Sequence, residues 1–178
     1  MSQQAKLEKL AATQFDGEVD RIYDPEHGAF ETIGSFLWGG RWNRKQQFGA
    51  LYTSLGRPTA ENEILAQARK RGVEPSDLGP RDHVEIHAKL TRVLDLTTDA
   101  ALKALSVSKT ELLANRELCL EIADAARLLG VEGLIVPSAE SAGKNLVIFM
   151  DKLQPGWELK ELRRNRNVRL GKKDGETE

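Results

Sequence analysis

The stretch Gly39-Gly40-Arg41-Trp42-Asn43 sets a guanidinium directly after two glycines. Glycine lets a backbone approach a ligand closely, and arginine offers a planar fork of donors that matches a phosphate, so the segment can hold an anion. A turn arginine paired with a surface carboxylate explains the same five residues, and on the pentapeptide alone that plainer reading carries more weight. Glu61 and Glu63 lie near the start of a helix opened by Pro58, where the helix dipole favours acidic residues without any function. Glu63 directly precedes Ile64 and Leu65, which puts it at the edge of a buried stripe, with Glu61 further towards solvent. Tyr52 is either plain core or a flat face on which a ring can stack. Ser138 follows Gly133–Pro137, at a strand exit; such a serine is either a turn residue or a ligand contact. His83, Glu85 and His87 share one face of a strand and suggest a metal, but no cysteine or fourth ligand is near in sequence, so no metal is expected. "SAGKN" at 141–145 lacks the glycine and Ser/Thr spacing of a phosphate loop, and nothing matches a serine-nucleophile elbow.

The elements that must position these residues follow from periodicity. Residues 2–13 read as a short helix, and 20–50, rich in glycine and aromatics, as irregular structure with short strands. "ALYTSL" (50–55) reads as a buried strand. Pro58 opens a helix that Gly72 ends, with Ile64, Leu65 and Ala68 as its apolar stripe. "HVEIHAKLTRVLDL" (83–96) alternates as a long strand. A helical block follows, with Ser108 and Glu111 in a capping box, Leu112, Leu113, Leu120, Ile122, Ala123 and Ala126 facing inward, and Gly130 as its stop. "GLIVP" and "NLVIFM" are too short for helices and read as central strands. This order is neither strict β-α-β alternation nor all-β, and implies an α+β fold: a mixed, largely antiparallel central sheet with flanking helices.

With 178 residues the chain suits one domain with a real core. The expected division is a domain over 1–160 and a polar, charged, fraying tail over 161–178. A formal net charge of -1 argues against a general nucleic-acid binder. No apolar run is long enough for a bilayer and no secretory h-region is visible, so the cytoplasm is the expected compartment. Cys119 is the single cysteine, which excludes an intramolecular disulfide.

Taken in order, "GGRWN", "ALYTSL", "PTAENEI", "GLIVPSA" and "GKNLVIF" resemble the RES-domain toxins of bacterial type II toxin–antitoxin pairs, over about Arg21 to Phe149. The resemblance implies a fold similar to ADP-ribosylating toxins and NAD+ as substrate, with no metal cofactor. It assigns catalytic positions to Arg41, Glu63 (rather than Glu61) and Ser138, and substrate-binding ones to Arg21, Tyr52 and Asn145. On that assignment Arg41 and Arg21 clamp the diphosphate and Tyr52 stacks on nicotinamide. The Glu63 carboxylate stabilises the positive charge that develops on the ribose, and Ser138 and Asn145 orient the substrate. Water, inorganic phosphate or a protein side chain can accept the ribosyl group. The stretch between Glu63 and Ser138 is long beside small family members and has room for an extra helix. The resemblance also implies a helix-turn-helix antitoxin as partner, with its C-terminal part blocking the cleft. Two other readings stand beside this one. The first is a non-catalytic nucleotide- or partner-binding module of the same fold. The second is an RNA-directed toxin, drawn from Arg163, Arg164, Arg166 and Arg169, though no aromatic platform interleaves that charge run.

Overall fold

Strands form where β-branched and aromatic residues alternate, and the two apolar runs become largely buried strands. In a computed structural model, which describes residues 1–171, the chain order is α1 (Gln3–Leu7), β1 (Thr13–Tyr23), α2 (Ile33–Trp38), β2 (Ala50–Ser54), α3 (Arg57–Lys70), β3 (Arg81–Asp95), α4 (Asp99–Leu105), α5 (Lys109–Ala114), α6 (Arg116–Leu128), β4 (Gly133–Pro137), β5 (Lys144–Phe149) and β6 (Glu158–Val168). The class is α+β, as expected. The central sheet closes on itself: β1 pairs with β2, β2 with β5 and β5 with β4, all antiparallel. β4 then runs parallel to β3 at Val93–Asp95, and β3 returns antiparallel to β1. β6 lies antiparallel along the first half of β3. The β1–β2 seam is a single residue pair, Asp20 opposite Ser54.

Side chains alternate across the strands and so feed two cores. Ala50, Val136, Val147 and Phe149 face the helical layer, where Leu105, Leu112, Cys119, Ile122, Ala123 and Ala126 cover them. Leu51, Leu146 and Ile148 point the other way and pack with Val19, Val84, Ile86 and Leu90 of β1 and β3. The helix signals hold locally. Pro58 sits in the first turn of α3, Ser108 and Glu111 form the capping box of α5, and Gly130 takes a positive φ of 69° beyond α6. Glu132 is wholly buried between α6 and β4. Its Oε1 accepts from the Thr91 and Arg92 backbone N–H groups (2.7 and 2.8 Å) and from the Thr91 hydroxyl, and its Oε2 from the Gln154 N–H at 3.0 Å.

Three expectations are corrected. The helix over 2–13 is only α1, and Thr13 already begins β1. Residues 20–50 are less irregular than expected: 20–23 complete an 11-residue strand, and α2 follows. β1 was hard to see because only Val19, Ile22 and Tyr23 of it are buried, so polar side chains hide its alternation. Residues 161–168, expected in a fraying tail, belong to β6, a strand with no buried residue that is defined by backbone pairing to β3. Residues 172–178 of that expected tail lie outside the described residues.

Candidate active site

Pro58 and the first turn of α3 fix the direction of the helix so that Glu63, in its second turn, meets the loop end of the β4–β5 hairpin. Glu63 Oε1 accepts from the Ser138 hydroxyl at 2.6 Å and from Asn145 Nδ2 at 2.7 Å. Among the described residues no protein donor bonds its Oε2. Asn145 Oδ1 in turn accepts from the Ser54 hydroxyl at 2.8 Å, which fixes the amide's orientation. The Ser138 oxygen accepts the backbone N–H groups of Glu140 and Ser141, both at 3.1 Å. With its proton given to Glu63 and its lone pairs engaged, Ser138 positions the carboxylate and is not set up as a nucleophile. Glu61 pairs instead with Arg57 at 2.8 Å. The hairpin can approach α3 this closely only because residue 143 is glycine: a Cβ there would lie 2.0 Å from Thr59 Oγ1. That contact is the structural role of "SAGKN".

The "GGRWN" loop divides its labour. Trp42 and Asn43 are buried. Asn43 donates to the Ser35 and Phe48 carbonyls, and its Oδ1 accepts the Tyr52 hydroxyl at 2.8 Å. The Tyr52 oxygen accepts the Trp42 N–H at 2.9 Å. Gly40 lies against the same phenol, where a Cβ would stand 2.3 Å from the hydroxyl. Burial pushes the Tyr52 phenol well above its usual range, so it stays protonated and donates. The loop leaves Arg41 on the cleft side, with one bond to the Leu112 carbonyl at 3.3 Å and no carboxylate partner among the described residues.

Arg21 also lines the cleft, but two of its donors hold the Ala29 and Glu31 carbonyls, and its guanidinium lies 5.6 Å from the Tyr23 ring centroid. Burial lowers its pKa to about 10, against the opposing pull of Tyr23 and Glu31, which leaves it cationic at neutral pH. It braces the 24–31 loop as much as it offers charge. The cleft has a volume of about 650 Å³ and brings together Arg21, Arg41, Tyr52, Glu63 and Asn145, with Ser138 behind Glu63. Three residues escaped the sequence reading as parts of the site: Ser54 and Arg116, which line the cleft, and Asn43, buried behind it. Arg116 gave one available signal, since a cation at the first position of a helix runs against the dipole.

The histidines part company. His83 is buried, with Nε2 on the Asp20 carboxylate at 2.6 Å and Nδ1 facing the Asn165 amide at 3.0 Å. The ligand atoms of Asp20, His83 and Glu85 lie within 4.8 Å of one another, and His87 is not among them. His87 instead bridges Asp16 of β1 and Glu158 of β6, at 2.7 and 3.2 Å. Asp16, then Glu158, raise its pKa above the ordinary histidine value. A raised folded-state pKa stabilises the fold fully below the unfolded value and loses that effect as pH climbs through the folded one. The melting temperature of wild type should therefore exceed that of His87→Gln at about pH 5.5 to 6, and the difference should vanish by about pH 9. A difference that grows with pH would remove the ionic role.

A family model described as "RES domain" matches residues 18–168. The chain is 30% identical over 127 residues to proteins named NAD(+) phosphorylase MbcT from Mycobacterium bovis and Mycobacterium tuberculosis, a match covering 69% of this chain and 68% of theirs. Its fold is similar to a chain in the crystal structure of the M. tuberculosis MbcT–MbcA toxin–antitoxin complex, with a TM-score of 0.78 and 21% identity, over 92% of this chain and 91% of that one. Among the described residues no helix is long and apolar enough to cross a membrane.

Proposed function

This chain belongs to the RES domain family, and from that premise we propose that it is the toxin of a toxin–antitoxin pair and cleaves the nicotinamide–ribose bond of NAD+. The observation that carries this reading is the Glu63 carboxylate, held through one oxygen by Ser138 and Asn145 in a cleft that also presents Arg41, which has no carboxylate partner among the described residues. Breaking the bond builds positive charge on the ribose, which a fixed carboxylate stabilises in a site partly closed to water. Nicotinamide leaves as a neutral molecule, so no strong general acid is required, and no step calls for a metal. Arg41 meets the diphosphate, Arg21 supports that wall, and Tyr52 offers its ring to nicotinamide. The acceptor is inorganic phosphate, a choice supported by the name of the relatives, NAD(+) phosphorylase. ADP-ribosylation of a protein, and kinship of the fold with ADP-ribosyltransferases, belong to the same proposal as its second branch. The partner is a helix-turn-helix antitoxin, and the compartment is the cytoplasm, where NAD+ is available.

The deciding experiment incubates purified protein, freed of any partner, with NAD+ with and without inorganic phosphate, and reads the products by mass spectrometry. Nicotinamide together with ADP-ribose 1″-phosphate is the expected result. Intact NAD+ in every condition would hand the chain to the binding-module reading, and an ADP-ribosyl mass on a lysate protein would select the transferase branch. In the same assay Arg41→Ala should raise the KM for NAD+ by about tenfold or more and lower turnover, since it removes charge-assisted bonds to phosphate. A KM equal to that of wild type would exclude Arg41 from the diphosphate.

A further inference from the structure

Arg116 is among the cations of the cleft that have no role in this reaction so far. Arg116 opens α6, donates from Nη2 to the Gly40 carbonyl at 2.8 Å and lines the cleft. Arg41 reaches the same place from the neighbouring loop residue and bonds the Leu112 carbonyl at the end of α5. Neither guanidinium forms an ion pair with a carboxylate among the described residues. Of the other cations of the cleft wall, Lys70 is paired with Glu140, Arg81 lies 3.7 Å from Asp24 and Arg21 is bonded to two carbonyls, while Arg71, exposed at the end of α3, also has no carboxylate partner among the described residues. The like charges of Arg116 and Arg41 stand on separate elements with no ion-paired carboxylate, and an anion between them relieves the repulsion that solvent at exposed Arg116 screens only in part. Arg116 holds one backbone carbonyl, and Arg41 holds the Leu112 carbonyl and lies against the Cys119 thiol, which leaves further donors on each fork for a ligand. Gly40, whose carbonyl Arg116 holds, packs directly against the Tyr52 hydroxyl, and Arg41 is the next residue of the same loop.

We infer that Arg116 and Arg41 together form a site for a phosphoryl group, with Arg116 a binding residue of the reaction in its own right. The inference rests on the proposed NAD+ chemistry for its choice of ligand. Position supports it. Tyr52 and Ser54 are alternate residues on one face of β2, about 7 Å apart, and Ser54 leads through Asn145 to Glu63. A phosphoryl group beside Tyr52 thus lies along the same face of β2 that leads to the carboxylate. The same site chemistry serves the diphosphate of NAD+ or the orthophosphate acceptor. In the second case a phosphate oxygen bonds to the ribose C1″ as the C1″–N bond breaks. The electron pair of that bond neutralises the nicotinamide nitrogen, and the proton of HPO4²⁻ stays on the new phosphate ester.

The test uses the full chain as Arg116→Gln and Arg116→Lys, with pyrophosphate, orthophosphate and nicotinamide as separate probes in calorimetry. Arg116→Gln should weaken pyrophosphate or orthophosphate binding by about tenfold or more and leave nicotinamide binding unchanged. Arg116→Lys should restore part of the loss, because it keeps the charge but not the fork. In turnover assays, a raised KM for NAD+ places the diphosphate at the site. A raised KM for phosphate, with product shifted towards ADP-ribose, places the acceptor there. Unchanged affinities for both phosphate probes would overturn the inference. So would an equal loss of phosphate and nicotinamide binding with a lowered Tm, which would reduce Arg116 to a prop under Gly40. If wild type binds pyrophosphate through Arg116 and yet leaves NAD+ intact, the phosphoryl site stands and the NAD+-cleaving reading falls.

Discussion

Glu63→Gln should lower kcat for NAD+ consumption by about a thousandfold while the KM for NAD+ stays within a few-fold of wild type. The amide is nearly the same shape, and its carbonyl oxygen can still accept from Ser138 and Asn145 as the carboxylate Oε1 does. Geometry is therefore kept and the charge is removed. A unit negative charge about 4 Å from a developing cation contributes roughly 4 kcal/mol at an effective dielectric of 20, which corresponds to the thousandfold figure. The charge matters most in the transition state, because NAD+ carries its positive charge on the nicotinamide ring before the bond breaks. Glu61→Gln is the matched control. Glu61 is paired with Arg57, and its loss should leave kcat within about twofold. A fully active Glu63→Gln beside an inactive Glu61→Gln would overturn the placement of the carboxylate in the chain.

Glu132→Ala should cost about 3 to 5 kcal/mol of folding stability, the largest loss expected from one substitution outside the cleft. Its carboxylate gathers donors from β3 at Thr91 and Arg92 and from Gln154 before β6, with no exposed surface. Removal strands three backbone N–H groups that point at a wholly buried side chain, each costing about 1 to 3 kcal/mol when unpartnered. Glu132→Gln should cost less, since its carbonyl can serve the Thr91–Arg92 side while its amide faces the Gln154 N–H as a second donor. Urea denaturation measures both. Equal midpoints for wild type and Glu132→Ala would show that water or rearranged backbone satisfies those donors, and the structural account of Glu132 would fail.

What could be read in advance depended on whether apolar burial or backbone pairing defines an element. β4 runs over Gly133–Pro137 as "GLIVP" predicts, because both faces of that strand are covered and the run is apolar throughout. β1 and β6 show the opposite case: each is held by hydrogen bonds to β3 and carries polar side chains on its open face, so neither has a clear period. The candidate site divides in the same way. Arg41, Glu63, Ser138 and Asn145 lie in short motifs whose order carries the family resemblance, and the structure brings the last three within hydrogen-bonding reach. Ser54 and Asn43 act by holding other side chains, and such a role leaves no mark on a linear pattern. Arg116 enters the cleft only because α4, α5 and α6 fill the long stretch between β3 and β4, where room for an extra helix was expected.

The carboxylate on α3 and the two groups that orient it are separated by 75 and 82 residues. During synthesis from the N-terminus, Glu63 is made early and stays unoriented until the chain has been extended through Asn145, because loop closure of that length must precede any local gain. A product ending before residue 138 contains Arg41, Tyr52 and Glu63 and still lacks both donors to the carboxylate. On the proposed NAD+ chemistry, long-range assembly acts as a delay: potency waits for a polypeptide extended through Asn145.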